Sequence, residues 1–155
     1  MSINKVGEST SETAVRFSIL TTIMLVVVLV IPFAYRIDIG PGPDSIRAMT
    51  WDYIEASWYS GFRFWNPFDV LPYTLLRLIF AVMLTRAYLG RTTAKKTLLV
   101  GILAELQPFL VSAPLVFLVD WPGGGDPWVP LYVPLPFMLA LGVILLLIFK
   151  YKKVM

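Results

Sequence analysis

Four stretches of this chain are continuously apolar, and each is about as long as a helix that crosses a membrane. They cover residues 17–35, 70–88, 97–119 and 129–149. An α-helix rises ~1.5 Å per residue, so a stretch of ~19 residues extends ~28 Å, close to the hydrocarbon thickness of a bilayer. The stretches are Leu-rich and lack the alternation of a membrane β-barrel. The pattern therefore predicts four transmembrane helices.

The connection between the first two stretches, residues 36–69, is long and rich in aromatic residues. Near its start lies the string GPGPD at 40–44, whose Gly and Pro residues forbid a helix. Within residues 45–65, apolar side chains then recur at helical spacing, at Ile46, Met49, Tyr53 and Ala56. Because Trp and Tyr favour the membrane surface, this segment predicts an amphipathic interfacial helix. The alternatives are a cap over the outer mouth of the bundle and a docking face for a partner.

Most Lys and Arg residues border the apolar stretches on one side, whereas the opposite side has only Arg36, Arg47 and Arg63. The others are concentrated in the link between the second and third stretches and at both chain ends, whereas the other links carry most of the acidic residues. The positive-inside rule therefore places both termini in the cytoplasm, in a multi-pass protein of the plasma membrane. Seven basic residues are expected to contact lipid headgroups: Arg86, Arg91, Lys95, Lys96, Lys150, Lys152 and Lys153. Because the basic residues border spans and do not form a groove with stacking aromatics, no nucleic-acid partner is expected.

The composition agrees with the hydropathy pattern. Hydrophobic residues make up 57% of the chain and charged residues 15%, and the mean hydropathy is +0.74. A length of 155 residues leaves room for one compact unit and no further soluble domain. We therefore expect a single domain over residues 1–155 with an all-α membrane fold. It would be an up-and-down bundle of four transmembrane helices, with the interfacial helix between the first and second spans.

The chain has few groups that could carry out catalysis. It contains no Cys and no His, which removes thiol nucleophiles, imidazole bases and the usual zinc ligands. No nucleophile elbow, metalloprotease motif or phosphate-binding loop occurs in it. We therefore expect no enzymatic activity, no metal and no cofactor.

Two charged residues, Arg77 and Glu105, interrupt the second and third apolar stretches. Charge inside a bilayer is costly, so both side chains should face the interior of the bundle. Helices joined by a short turn are normally neighbours, and the two residues lie at similar heights above that turn, so a direct ion pair is expected. The candidate supporting polar groups on the same helices are Tyr73, Thr74, Gln107 and Ser112.

The expected ion pair has two interpretations. In the structural one, each charge neutralises the other and the pair sets the register of two helices. In the functional one, the pair lines a path for protons, cations or a solute, and Glu105 titrates or binds the cation. A proton path usually needs more relay groups than this chain offers, so we favour the structural interpretation.

Three strings resemble uncharacterised small multi-pass membrane proteins of archaeal type. They are NPFDVLPYTLLRL at 66–78, GRTTAKK at 90–96 and GILAELQPFL at 101–110. The resemblance covers roughly the second to fourth apolar stretches. It implies a four-helix plan in an archaeal-type plasma membrane, and no activity or site residue.

Taken together, these patterns predict a non-catalytic accessory or scaffold subunit of a membrane assembly. Its expected partners are membrane lipids and other membrane proteins or further copies of itself. The first alternative is a small proton, cation or solute transporter or channel centred on Arg77 and Glu105. The second alternative is a lipid-modifying membrane enzyme in which Arg77 binds a phosphate and Glu105 acts as a base.

Overall fold

Helices and strands both build this fold. The computed structural model describes residues 4–38, 43–57, 59–117 and 130–152. The helices are α1 (Asn4–Val30), α2 (Leu71–Tyr88, directly after a 3₁₀ turn at Pro67–Val70), α3 (Ala94–Phe117) and α4 (Phe137–Lys152). The strands are β1 (Ala34–Asp38), β2 (Asp44–Arg47), β3 (Trp51–Ala56), β4 (Tyr59–Phe64) and β5 (Pro130–Pro134).

The five strands form one antiparallel sheet in the order β4-β3-β2-β1-β5. Strands β1 to β4 follow one another along the chain. Strand β5 follows α2 and α3 in the chain and pairs with β1, with Val133 opposite Tyr35. Because β1 directly follows α1 and β5 directly precedes α4, the sheet is joined to the C-terminal end of α1 and to the N-terminal end of α4.

The expected interfacial helix over residues 45–65 is wrong, because this segment forms most of β2 and all of β3 and β4. Aromatic and β-branched residues favour strands, and the segment contains many of them. Its side chains also alternate in period two. Asp52 and Ile54 in β3 are buried, whereas Trp51 and Tyr53 are partly exposed. The helical spacing of its apolar residues coincided with this alternation and concealed it.

The expected all-α bundle of four transmembrane helices is also wrong. The structure contains a sheet, and among the described residues two helical segments are long and apolar enough to cross a membrane, Pro67–Tyr88 and Ala94–Val116. The described apolar parts of α1 and α4 are shorter, Phe17–Val30 and Phe137–Ile148.

Prolines explain why the outer two spans are shorter than expected. The predicted span 17–35 loses its last residues because helix α1 ends at Val30 and Pro32 follows. The predicted span 129–149 loses its first residues because Pro130, Pro134 and Pro136 lack the amide hydrogens that a helix needs. Both segments enter the sheet, as β1 and β5.

The helices pack closely around the ring of Phe80 in α2, which is fully buried. Two glycines make room for this ring, Gly101 in α3 and Gly142 in α4. A Cβ atom at Gly142 would lie 2.5 Å from Phe80 Cζ, and one at Gly101 would lie 2.7 Å from Phe80 Cε2. The aromatic ring therefore fixes how closely α3 and α4 can approach α2.

Replacing Gly142 by alanine should destabilise the protein. The added methyl group overlaps a buried ring, and overpacking of this kind costs ~1–3 kcal/mol, against a gain of ~1 kcal/mol in helix propensity. We expect a lower midpoint of thermal unfolding, followed by circular dichroism. In a Phe80→Leu background the same substitution should lower the midpoint by less than half as much. Equal losses in the two backgrounds would show that the ring does not set the spacing.

Candidate functional site

The guanidinium group of Arg77 lies where four parts of the fold meet. Arg77 is in α2 and is fully buried. Its Nη2 atom is 2.5 Å from Glu105 Oε2 in α3 and also donates to the carbonyl of Leu135 at 3.0 Å. Its Nη1 atom donates to the carbonyl of Pro32 at 3.3 Å. One side chain therefore ties α2 to α3, to the segment after α1 and to the segment before α4.

The carboxylate of Glu105 uses both of its oxygens. Oε2 accepts from Arg77, and Oε1 accepts from the backbone amide of Leu139 at 2.8 Å. Leu139 lies in the first turn of α4, where amide groups have no partner within their own helix. A negative charge at a helix N-terminus is also favoured by the helix dipole. Glu105 thus caps α4 from a neighbouring helix.

The contact between Arg77 and Glu105 that was expected from the sequence is present. A short turn joins α2 to α3, and Gly90 in this turn has a φ of 71°, a conformation that suits glycine. The turn makes the two helices antiparallel neighbours. The centroid of the Phe33 ring lies 5.9 Å from the guanidinium carbon of Arg77, which adds a cation–π contact. Nε of Arg77 is buried and has no acceptor among the described residues.

Gln107 makes a second contact between α3 and α2. Its Nε2 atom donates to the carbonyl of Pro72 at 2.7 Å, and its Oε1 atom accepts from the amide of Leu76 at 2.8 Å. Pro72 and Leu76 are an i, i+4 pair, which bond to each other in a regular α-helix. The side-chain amide of Gln107 therefore bridges the first turn of α2.

The ion pair of Arg77 and Glu105 bridges the start of α4 in the same way as Gln107 bridges the first turn of α2. Arg77 binds the carbonyl of Leu135 and Glu105 binds the amide of Leu139, which are again an i, i+4 pair. A Leu-Pro step lies at the start of each helix, at 71–72 in α2 and at 135–136 just before α4. Polar side chains thus bridge the starts of two helices that contain or follow a proline.

The other candidate polar groups do not bind the ion pair. Thr74 Oγ1 donates to the carbonyl of Val70 in its own helix, at 3.0 Å. The ring of Tyr73 packs against Tyr132 in β5, with 4.7 Å between the centroids. Ser112 Oγ accepts from the amide of Tyr132 at 3.0 Å. Among the described residues, no hydrogen bond joins Tyr73, Thr74, Gln107 or Ser112 to Arg77 or Glu105.

A second polar cluster, which the sequence interpretation missed, lies on the inner face of the sheet. Arg47 donates to the hydroxyl of Tyr132, and its guanidinium carbon lies 4.5 Å from the centroid of Trp65. The guanidinium carbon of Arg63 lies 3.9 Å from the centroid of the same ring. Arg63 also forms an ion pair with the fully buried Asp52. Arg47, Asp52 and Arg63 lie on three different strands and share no regular spacing along the chain, so only the strand pairing brings them together.

The basic residues expected at lipid headgroups fall into two groups. Arg86, Arg91, Lys95 and Lys96 are exposed at the turn between α2 and α3, at the end of these helices away from the sheet. The predictions for Lys150, Lys152 and Lys153 concern side chains outside the described part of the chain.

Two cavities are lined by residues that the structure describes. An open groove of about 500 Å³ is lined by aromatic and aliphatic residues of the sheet and the adjoining helix ends. A small cavity lies beside Met24 and Leu84. Neither is lined by Arg77 or Glu105. In the described ranges, no group of three or more acidic residues comes together as a metal site.

Comparison of the chain with protein-family models, with curated proteins and with solved structures finds no match. The resemblance to archaeal-type membrane proteins therefore stays a prediction, and function has to be argued from the geometry alone.

Replacing Arg77 by lysine should destabilise the protein although the charge is kept. An ammonium group cannot reproduce the planar fork that reaches three acceptors in different directions. Each buried acceptor left without a donor costs ~1–3 kcal/mol. We expect a clearly lower midpoint of thermal unfolding, whereas Arg91→Lys in the exposed turn should leave it within ~1 °C of wild type, since exposed substitutions have small effects. Equal midpoints for the two variants would contradict the three-acceptor role.

Proposed function

We propose that this chain is a non-catalytic integral membrane protein that serves as an accessory or scaffold subunit. The observation that carries the proposal is the ion pair of Arg77 and Glu105. Both carboxylate oxygens and both terminal guanidinium nitrogens are engaged by the protein itself. Each of these atoms already has a partner in the protein, so a transported ion or a substrate would have to compete with these contacts.

The helix surfaces support a membrane location. Among the described residues, α2 and α3 supply two segments long enough to span a bilayer. Only 39% of the most apolar stretch in the first segment and 28% of that in the second are buried inside the molecule. The core helix of a water-soluble protein would be mostly buried. Large apolar residues are exposed on all four helices, among them Ile23, Ile79, Leu106 and Ile144. An apolar surface of this extent favours contact with lipid or with other membrane proteins.

The charges support an orientation. The turn between α2 and α3 carries exposed Arg and Lys residues, whereas acidic residues lie in the sheet at the other end, including Asp44 and Glu55. Under the positive-inside rule, the basic turn faces the cytoplasm of a cell whose plasma membrane α2 and α3 cross. The sheet then lies on the outer side.

The transporter and the enzyme are weaker proposals. A transport path would require polar groups leading to Glu105, but Tyr73, Thr74, Gln107 and Ser112 bind other partners. A lipid-modifying enzyme would require Glu105 to be free as a base, and its carboxylate is held by Arg77 and by the amide of Leu139. A scaffold uses its surface and leaves these interior groups for folding.

Purified protein in liposomes should move neither protons nor potassium ions faster than empty liposomes do. A dye trapped inside reports the proton flux after a pH jump. Glu105→Gln should leave the flux at this background and lower the yield of folded protein, because Arg77 is left as an unpaired buried charge. Glu55→Gln removes the same charge at an exposed position of the sheet and should leave the yield unchanged. Wild-type flux that disappears in folded Glu105→Gln would establish the transporter instead.

Insertion can be checked independently because the chain has no Cys. A membrane-impermeant maleimide added to intact cells should label Glu55→Cys in the sheet. It should label Thr93→Cys in the basic turn only after the cells are permeabilised. Labelling of both positions in intact cells would contradict the proposed orientation.

A further inference from the structure

The sheet has the reverse of the usual polarity. Side chains on its inner face include Asp38, Ser45, Arg47 and Asp52, which are all buried. On the outer face, one row crosses all five strands and consists of apolar and aromatic residues. In register order this row is Phe62, Tyr53, Ile46, Tyr35 and Val133. A water-exposed antiparallel sheet normally shows polar residues on its open face, so this outer face is suited to an apolar partner.

The outer face is concave and forms the groove of about 500 Å³. Tyr35, Ile46, Tyr53 and Phe62 line it from the sheet, and Phe137 lines it from the start of α4. This volume lies in the range of small-molecule sites in proteins, ~300–1,000 Å³. The rings of Trp51 and Tyr53 lie 5.4 and 5.2 Å from that of Phe62. They pack against one another as a continuous wall, which favours a flexible apolar chain over a flat ring inserted between them.

The groove is continuous with the apolar surface of the helices. Its lining includes Pro32, just after α1, and Leu135, just before α4. Val26 and Val30 at the end of α1 are exposed, and so is Phe137 at the start of α4. An apolar chain in the groove could therefore extend along the helices without crossing a polar boundary.

Acidic residues border the other end of the groove. Asp44 and Glu55 pair across β2 and β3, and both point to the outer face, two residues beyond Ile46 and Tyr53. Two residues along a strand correspond to ~7 Å. The Tyr35 hydroxyl donates to Asp44 at 3.2 Å. Burial and the Asp44 carboxylate raise the pKa of Tyr35 above its ordinary value, so the phenol stays a neutral hydrogen-bond donor to Asp44.

We propose that this groove binds one hydrocarbon chain of a membrane lipid whose headgroup carries an ammonium group, with the ammonium beside Asp44 and Glu55. The apolar wall accepts the chain, and the carboxylates select the headgroup by charge. The inference rests on the proposed function in one respect, since a membrane supplies the lipid. A second copy of this chain or a peptide strand would be an alternative occupant, but neither accounts for the apolar path from the groove to the helices.

Native mass spectrometry of the full-length protein in detergent tests this proposal. The probes are phosphatidylcholine, which carries a quaternary ammonium, and phosphatidylglycerol with the same acyl chains. Wild type should retain one phosphatidylcholine per chain in a saturable manner. Two charges at exposed sites contribute ~0.2–1 kcal/mol each, so phosphatidylcholine should bind about fivefold more tightly than phosphatidylglycerol. Asp44→Asn combined with Glu55→Gln should remove most of this preference.

Groove variants separate this site from general contact with lipid. Ile46→Glu places a charge in the groove and should weaken retention of phosphatidylcholine at least tenfold. Ile46→Trp fills the groove without adding charge and should have the same effect. Ile144→Glu, at an exposed position of α4 that does not line the groove, is the matched control and should retain the lipid. Circular dichroism confirms that the variants compared are folded.

Three results would overturn the proposal. One is retention by Ile46→Trp equal to that of wild type. Another is an equal loss in Ile144→Glu, and the third is a wild-type dimer that Ile46→Glu dissociates and that lipid leaves unchanged, since a second copy would then fill the groove. Protein that inserts into membranes without flux but retains no lipid contradicts only this inference. Protein that retains lipid in detergent but does not insert contradicts only the proposed function.

Discussion

A buried charge pair needs a partner for nearly every polar atom, and Arg77 and Glu105 obtain theirs from each other, from the segment after α1 and from the start of α4. The guanidinium reaches the carbonyls of Pro32 and Leu135, and the carboxylate reaches the amide of Leu139. Desolvation makes such a pair a small net source of stability when it is complete, but removal of one partner is strongly destabilising. The end of α1, the start of α4 and the spacing of α2 and α3 therefore all depend on one contact.

This dependence links the helices to the sheet. Pro32 precedes β1, and Leu135 follows β5, so Arg77 holds the segment that enters β1 and the segment that leaves β5, a pair at one edge of the sheet. The amide of Leu135 also donates to the carbonyl of Phe33 at 3.0 Å, which extends the pairing of β1 and β5 up to the ion pair. The inner face of the sheet carries its own charged cluster around Trp65. With its polar groups inside, the sheet leaves its aromatic face outward, at the same end of the molecule as the acidic residues.

Local patterns were enough to predict the parts of this fold that depend on neighbouring residues. Helices α2 and α3 lie close to their expected positions because each is a long apolar run. The contact between Arg77 and Glu105 follows from helical periodicity and a short turn. The sheet could not be found in this way, since β5 pairs with β1 across the whole of α2 and α3. The aromatic segment after residue 45 was misassigned as an interfacial helix. A strand with exposed aromatic side chains has the same mixture of aromatic, apolar and polar residues as such a helix. The carbonyls of Pro32 and Leu135 were missed as partners of the pair because the expected spans 17–35 and 129–149 ran as helices through both residues.

A double-mutant cycle on the ion pair tests the central claim most directly. Unfolding of wild type, Arg77→Met, Glu105→Gln and the combined variant would be measured in the same detergent by chemical denaturation. If the pair holds α2, α3, the end of α1 and the start of α4 together as a unit, each single change leaves an unmatched buried group and costs ~3–5 kcal/mol, and the combined change costs much less than their sum. Additive losses, or single losses no larger than those at an exposed position, would contradict the account.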